Sequence, residues 1–230
     1  MPIIKQKKSI IPSCDVDSLE KLEKLVKSTC SVKGIGAYKI GFELVIPFGM
    51  DKVVKIIRKH TKLPIIYDHQ KAGTDIPEMG EKFMNACKLA DAVILFPQAG
   101  PETESAWIKA AQKFKMSLII GGEMTHKGYL KNEDGFIDDG APKRIYGIAA
   151  SLGVNDFVIP GNKPDKCMEY DKLIKTKINN PIYYSPGLIA QGGSISELAK
   201  KLDSWHAIIG RAIYESKDMK KAAEEFAKEL

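Results

Sequence analysis

The chain has 230 residues, 44% of them hydrophobic and 28% charged, with a formal net charge of +6. That length can bury one sizeable core, and no apolar run approaches the roughly 18–20 residues that cross a bilayer. Lysines supply the positive charge but scatter beside Glu and Asp, unlike the dense basic stripe of a nucleic-acid binder.

The opening "MPIIKQKKSIIPSC" is too short in apolar content for a signal peptide, so the reading is a cytoplasmic protein. Four widely spaced cysteines (Cys14, Cys30, Cys87, Cys167) never form C-x-x-C, which points to reduced thiols rather than disulfides or a zinc site. In chain order, "SIIPSC" (9–14) reads as a strand. "SLEKLEKLVKST" (18–29) follows as a helix with Leu19, Leu22, Leu25 and Val26 on one stripe. The same alternation repeats: strand candidate 34–41 then helix 50–60, 64–68 then 79–90, 91–97 then 103–115, and 117–123 then 141–153. It ends with 156–160 then 164–176, 181–187 then 194–202, and 206–210 then 217–229.

Eight strand-then-helix units with continuously apolar strands such as "AVILF" predict parallel strands covered on both faces and joined by crossover helices. The expected fold is α/β, a (β/α)8 TIM barrel forming one domain over residues 1–230, with a doubly wound open sheet as the competitor. The polar stretch 126–140 reads as a long active-site loop or lid.

Chemistry in such a barrel sits where the strands run out, at the C-terminal face. The residues there are Asp15, Lys39, Asp68 with Lys71, Glu123 with Thr125, Pro186-Gly187 and Gly210-Arg211. "YYSPGLIAQGGSISELAKKL" places a Pro-Gly turn and Gln191-Gly192-Gly193 before a helix, and "AIIGRAIY" ends a strand in Gly210 and Arg211. Glycines admit a ligand close to the backbone, helix-start N–H groups favour anions, and a guanidinium grips phosphate through two hydrogen bonds. Together they point to a phosphorylated small substrate, which the modest positive field also favours.

"LPIIYDHQKAGTDIPEMG" (63–80) sets Asp68, Lys71 and Asp75 at helical spacing, yet a strand-like run precedes them and Gly73 and Pro77 follow. On a barrel they leave strand 3 for the mouth, beside Lys39 at the end of strand 2. Two neighbouring carboxylates raise each other's pKa, and an ammonium between them keeps both ionised. At about 4 Å and an effective dielectric near 20, each opposite-charge contact is worth on the order of 4 kcal/mol before desolvation.

These residues resemble the orotidine 5′-phosphate decarboxylase family over nearly the whole chain. The matching pieces are Asp15, "YKIG" with Lys39, "DHQKAGTDIP", "GGEMTH", "SPGLIAQGG" and "IIGRAIY". The resemblance implies a carboxy-lyase that converts orotidine monophosphate to UMP and carbon dioxide for pyrimidine biosynthesis, with no cofactor and no metal. It implies Lys39, Asp68, Lys71 and Asp75 as the catalytic row, Lys71 protonating C6, and Asp75 reaching into the partner's site of a homodimer. It further implies Asp15 and Lys39 at the ribose and Thr125 at the pyrimidine. Ile76 and Pro186 would also contact substrate, and Gln191, Gly210 and Arg211 would hold the phosphate. No nucleic-acid or membrane partner is implied.

The family pattern D-x-K-x-x-D is lengthened here to D-x-x-K-x-x-x-D, which predicts a backbone irregularity at 69–73 with Gly73 taking part. Met79 stands near the place where the family often has Thr or Ser. His69 and His126 read as loop hydrogen-bonders. The alternatives are a magnesium-dependent sugar-phosphate decarboxylase or aldolase of the same superfamily, and a non-catalytic nucleotide-binding homologue.

Overall fold

The computed structural model describes residues 2–69 and 73–230. Its strands are β1 (Lys8–Pro12), β2 (Tyr38–Gly41), β3 (Ile65–Asp68), β4 (Ala92–Leu95), β5 (Ser117–Gly121), β6 (Asp156–Val158), β7 (Ile182–Ser185) and β8 (Trp205–Ile209). The helices are α1 (Leu19–Thr29), α2 (Phe42–Phe48), α3 (Met50–His60), α4 (Gly80–Ala86) and α5 (Pro101–Phe114). They continue as α6 (Ala141–Ser151), α7 (Pro164–Lys175), α8 (Ile195–Lys201), α9 (Arg211–Tyr214) and α10 (Met219–Ala227).

All strand pairs are parallel, in the order β1-β8-β7-β6-β5-β4-β3-β2. The circle closes between β1 and β2 through bridges Ile10 to Ile35 and Ser13 to Lys39, with Cys14 N–H donating to the Lys39 carbonyl at 2.8 Å. The expected (β/α)8 barrel is therefore the fold, and the open sheet is excluded.

The strands are apolar on both faces because each face has its own core. Ile11, Ile66, Ile94, Ile119, Val158, Tyr184 and Ile208 pack together inside the barrel. The alternate residues, among them Ile10, Ile65, Val93, Ile120, Phe157 and Ile209, pack outward against the helices. Helix α1 opens at Ser18, whose hydroxyl accepts from Lys21 N–H, and buries Leu22, Leu25 and Val26.

Two elements differ from expectation. The run 34–41 pairs as a strand only from Tyr38, because Gly34 takes a positive φ of 107° and Gly36 lies against Ser9. Residues 42–48, with Pro47 inside them, form the unexpected helix α2 directly after β2. The four cysteines are free.

The barrel floor carries a buried polar group. Tyr184 donates to Asp156 at 2.8 Å, and Ser9 Oγ meets His206 Nδ1 at 2.8 Å. Burial raises the Asp156 carboxyl to about 6 and lowers His206 to about 4. An acid raised in this way stabilises the fold below its unfolded value, and that stability is lost as pH rises through about 6. The lowered histidine acts in the opposite sense, adding stability as pH rises from about 4. Asp156→Asn keeps the acceptor for Tyr184 and removes the charge. It should gain roughly 1–2 kcal/mol over the parent near pH 7.5 and nothing near pH 4, as read by urea denaturation at both values.

Candidate active site

The strand ends of β1, β2 and β3 bring three charges together. Lys39 Nζ lies 3.0 Å from Asp68 Oδ2 and 3.5 Å from Asp15 Oδ1, and Ser13 donates to the other Asp15 oxygen at 2.7 Å. Lys39 is buried. Burial alone would push its pKa down, but the two aspartates outweigh that, and the net direction is upward. The ammonium is thus locked in its charged form. Burial raises the Cys14 thiol next to this group, which makes it a poor nucleophile.

These residues line one wall of a cavity of about 300 Å³ at the C-terminal mouth. From β5 to β8 the lining continues through Glu123, Thr125, Pro186, Gln191, Gly210 and Arg211, over a floor of Ile94, Phe96, Val158 and Ile208. Eight of the expected site residues (Asp15, Lys39, Asp68, Thr125, Pro186, Gln191, Gly210, Arg211) therefore share one chamber. An apolar floor suits a flat ring, and Arg211 with the glycine-rich 186–193 loop suits an anion. Ser194 caps α8 internally, its hydroxyl accepting from Glu197 N–H at 3.3 Å.

Lys71 lies outside the described residues, as does most of the irregularity expected at 69–73. Gly73 is described and has φ 82°, and a Cβ there would come within 3.1 Å of the Pro97 backbone. Asp75 and Ile76 do not line the cavity. Their backbone is pinned to α5, with Thr103 donating to the Asp75 carbonyl at 3.0 Å and Trp107 to that of Ile76 at 3.1 Å. Ile76 is 58% exposed, and on helix α2 Phe42 and Ile46 are exposed as well.

His69 is hydrogen-bonded to the Tyr67 hydroxyl, and the His126 ring stands edge-on to Tyr129 at 5.8 Å. The 126–140 stretch is tacked down rather than open: Tyr129 and Leu130 are buried, and the Tyr129 hydroxyl donates to the Gly122 carbonyl at 3.1 Å. Sequence reading missed the charges behind Glu123. Lys163 donates to Glu123 and to Glu133, each at 2.8 Å, and the Tyr170 hydroxyl donates to the other Glu123 oxygen. Lys163 follows a strand end like the other site residues, and that position was the available signal. Among the described residues no group of three His, Cys, Asp or Glu side chains is arranged to hold a metal.

A parallel barrel with a glycine-rich loop and an arginine after strands 7 and 8, and an ammonium–carboxylate row after strands 1 to 3, has the architecture of a TIM-barrel enzyme with its site at the C-terminal mouth. The family model "Orotidine 5'-phosphate decarboxylase / HUMPS family" matches residues 8–226, and the chain belongs to that family. It is 30% identical over 198 residues to the orotidine 5'-phosphate decarboxylase of Methanocaldococcus jannaschii, covering 85% of this chain and 87% of that protein. It is also 30% identical to the Methanosarcina mazei decarboxylase, over 96% and 94% of the two chains. A crystal structure of the M. jannaschii enzyme, complexed with inhibitor BMP, superposes with TM-score 0.84 at 27% identity over 97% of this chain and 98% of that one.

Lys39→Met would remove the buried ammonium that Asp15 and Asp68 share and should cost about 3–5 kcal/mol of stability. Adding Asp68→Asn should recover at least about 1 kcal/mol of that loss, measured as a double-mutant cycle in urea.

Proposed function

We propose that this chain decarboxylates orotidine 5′-monophosphate to UMP and carbon dioxide, as a carboxy-lyase of pyrimidine biosynthesis acting in the cytoplasm. The observation that carries the reading is the Asp15–Lys39–Asp68 row facing Thr125, Gln191 and Arg211 across one cavity, in a chain of this family. Residues 1–230 act as a single barrel domain.

Loss of carbon dioxide from the pyrimidine leaves negative charge at C6. In this reading Arg211, Gln191 and Gly210 hold the phosphate, Asp15 and Lys39 hold the ribose, and Thr125 and Pro186 flank the base. The Lys71 ammonium stabilises the charge developing at C6 and delivers its proton there, which is preorganised electrostatics joined to acid catalysis. Asp68, held by Lys39, stands beside the departing carboxylate. Binding energy from the phosphate supports the chemical step, because interactions remote from the reacting carbon can be realised in the transition state.

Asp75 and Ile76 complete the site of a second copy. Support comes from their place outside their own cavity, on a backbone hydrogen-bonded by Thr103 and Trp107, with the Ile76 side chain exposed. A two-fold contact would exchange these side chains reciprocally.

Purified protein incubated with orotidine monophosphate in excess chelator should consume the substrate's absorbance and release UMP. Turnover that requires added magnesium would favour the sugar-phosphate alternative. Tight UMP binding without turnover would favour the non-catalytic one. Lys71→Ala and Asp75→Asn should each abolish turnover alone. Mixed and re-equilibrated, they should regain about a quarter of wild-type activity, because half of the dimers then carry one intact site. No recovery on mixing, with dimers present, would overturn the shared site.

A further inference from the structure

Glu123 is a carboxylate on the cavity wall with 1% of its surface exposed. Such a group is costly to bury unless it is paired and hydrogen-bonded. Its partners are Lys163, at 2.8 Å on Oε1, and the Tyr170 hydroxyl on Oε2. Lys163 itself does not line the cavity. Burial would lower its pKa, but Glu123 and Glu133 outweigh that and raise it. The adjacent Asn162 donates through Nδ2 to the Thr125 carbonyl at 2.9 Å, which orients the amide. Its Oδ1 is shielded from solvent with no hydrogen-bond partner among the described residues, and a Cβ on Gly187 would come within 3.0 Å of it. Gly161, one residue earlier, donates to the Pro186 carbonyl at 2.9 Å. In the loop after β6, Asn162 and Lys163 thus hold the segment 123–125 from behind, while Gly161 ties the same loop to the turn that opens the 186–193 loop.

We infer that Asn162 and Lys163 are positioning residues that fix Glu123 and Thr125 at the nucleobase end of the cavity, and so set the enzyme's grip on the pyrimidine rather than on the phosphate. The inference rests on the proposed nucleotide reading. Neither residue touches substrate: Lys163 acts through Glu123, and Asn162 through the Thr125 backbone. The phosphate end is built from other elements, the loop after β7 and the start of α9.

The test compares UMP with ribose 5-phosphate, which lacks the base. In Lys163→Met the dissociation constant for UMP should rise about tenfold or more, while that for ribose 5-phosphate stays within about twofold. Lys163→Arg, which keeps the charge, should restore UMP binding to within about threefold of wild type. Asn162→Ala should show the same selectivity at smaller size and serves if Lys163→Met does not fold. Turnover of orotidine monophosphate in these variants should show the loss mainly in KM. Unchanged UMP affinity in a folded variant, or equal weakening of both ligands, would overturn the inference while leaving the decarboxylase reading intact. A wild-type chain that neither binds UMP nor turns over orotidine monophosphate would instead remove the reading on which it rests.

Discussion

A lysine kept charged inside a barrel mouth governs this molecule. Lys39 is buried, so its ammonium survives only because Asp68 and Asp15 stand within 3.0 and 3.5 Å of it. That requirement brings together three strand ends distant in sequence. It also creates a strong fixed field along one wall of the cavity. The rest of the barrel keeps those strand ends in register, with the bridges from Ile10 to Ile35 and from Ser13 to Lys39 closing the circle.

The cavity has a second buried charge group, and the two are organised alike. Across the mouth, Glu123 is neutralised by Lys163 from behind the wall, as Lys39 is neutralised by the two aspartates within it. Each pairs groups from separate strand ends, so each couples the shape of the mouth to its electrostatics. Glu133 extends the Lys163 group into the 126–140 stretch, which explains why that polar segment is anchored rather than open. The barrel floor follows another rule. There desolvation outweighs the other influences on Asp156 and His206, and their pKa values move toward the neutral forms.

Much of this was legible in the chain. The eight alternating units, the doubly apolar strands, and the glycine-rich and arginine-bearing ends of strands 7 and 8 came directly from local pattern, because burial on two faces leaves its mark on every residue of a strand. The charged strand ends were legible for the related reason that polar groups right after an apolar run sit at a boundary. Helix α2 was not, since Pro47 inside "FELVIPF" argues against a helix by local rules. Lys163 was also missed, because its partners lie 30 and 40 residues away.

The amino-acid order by itself determined the alternation of strand and helix, the parallel pairing, and which residues stand at the rim, since these follow from periodicity and chain connectivity. Only the folded barrel decided that Lys39 pairs with both Asp15 and Asp68, that Glu123 is held from behind by Lys163, and that Asp75 and Ile76 lie outside their own chamber. Those are distances between groups far apart along the chain, and closure of the circle sets them, which no local pattern encodes.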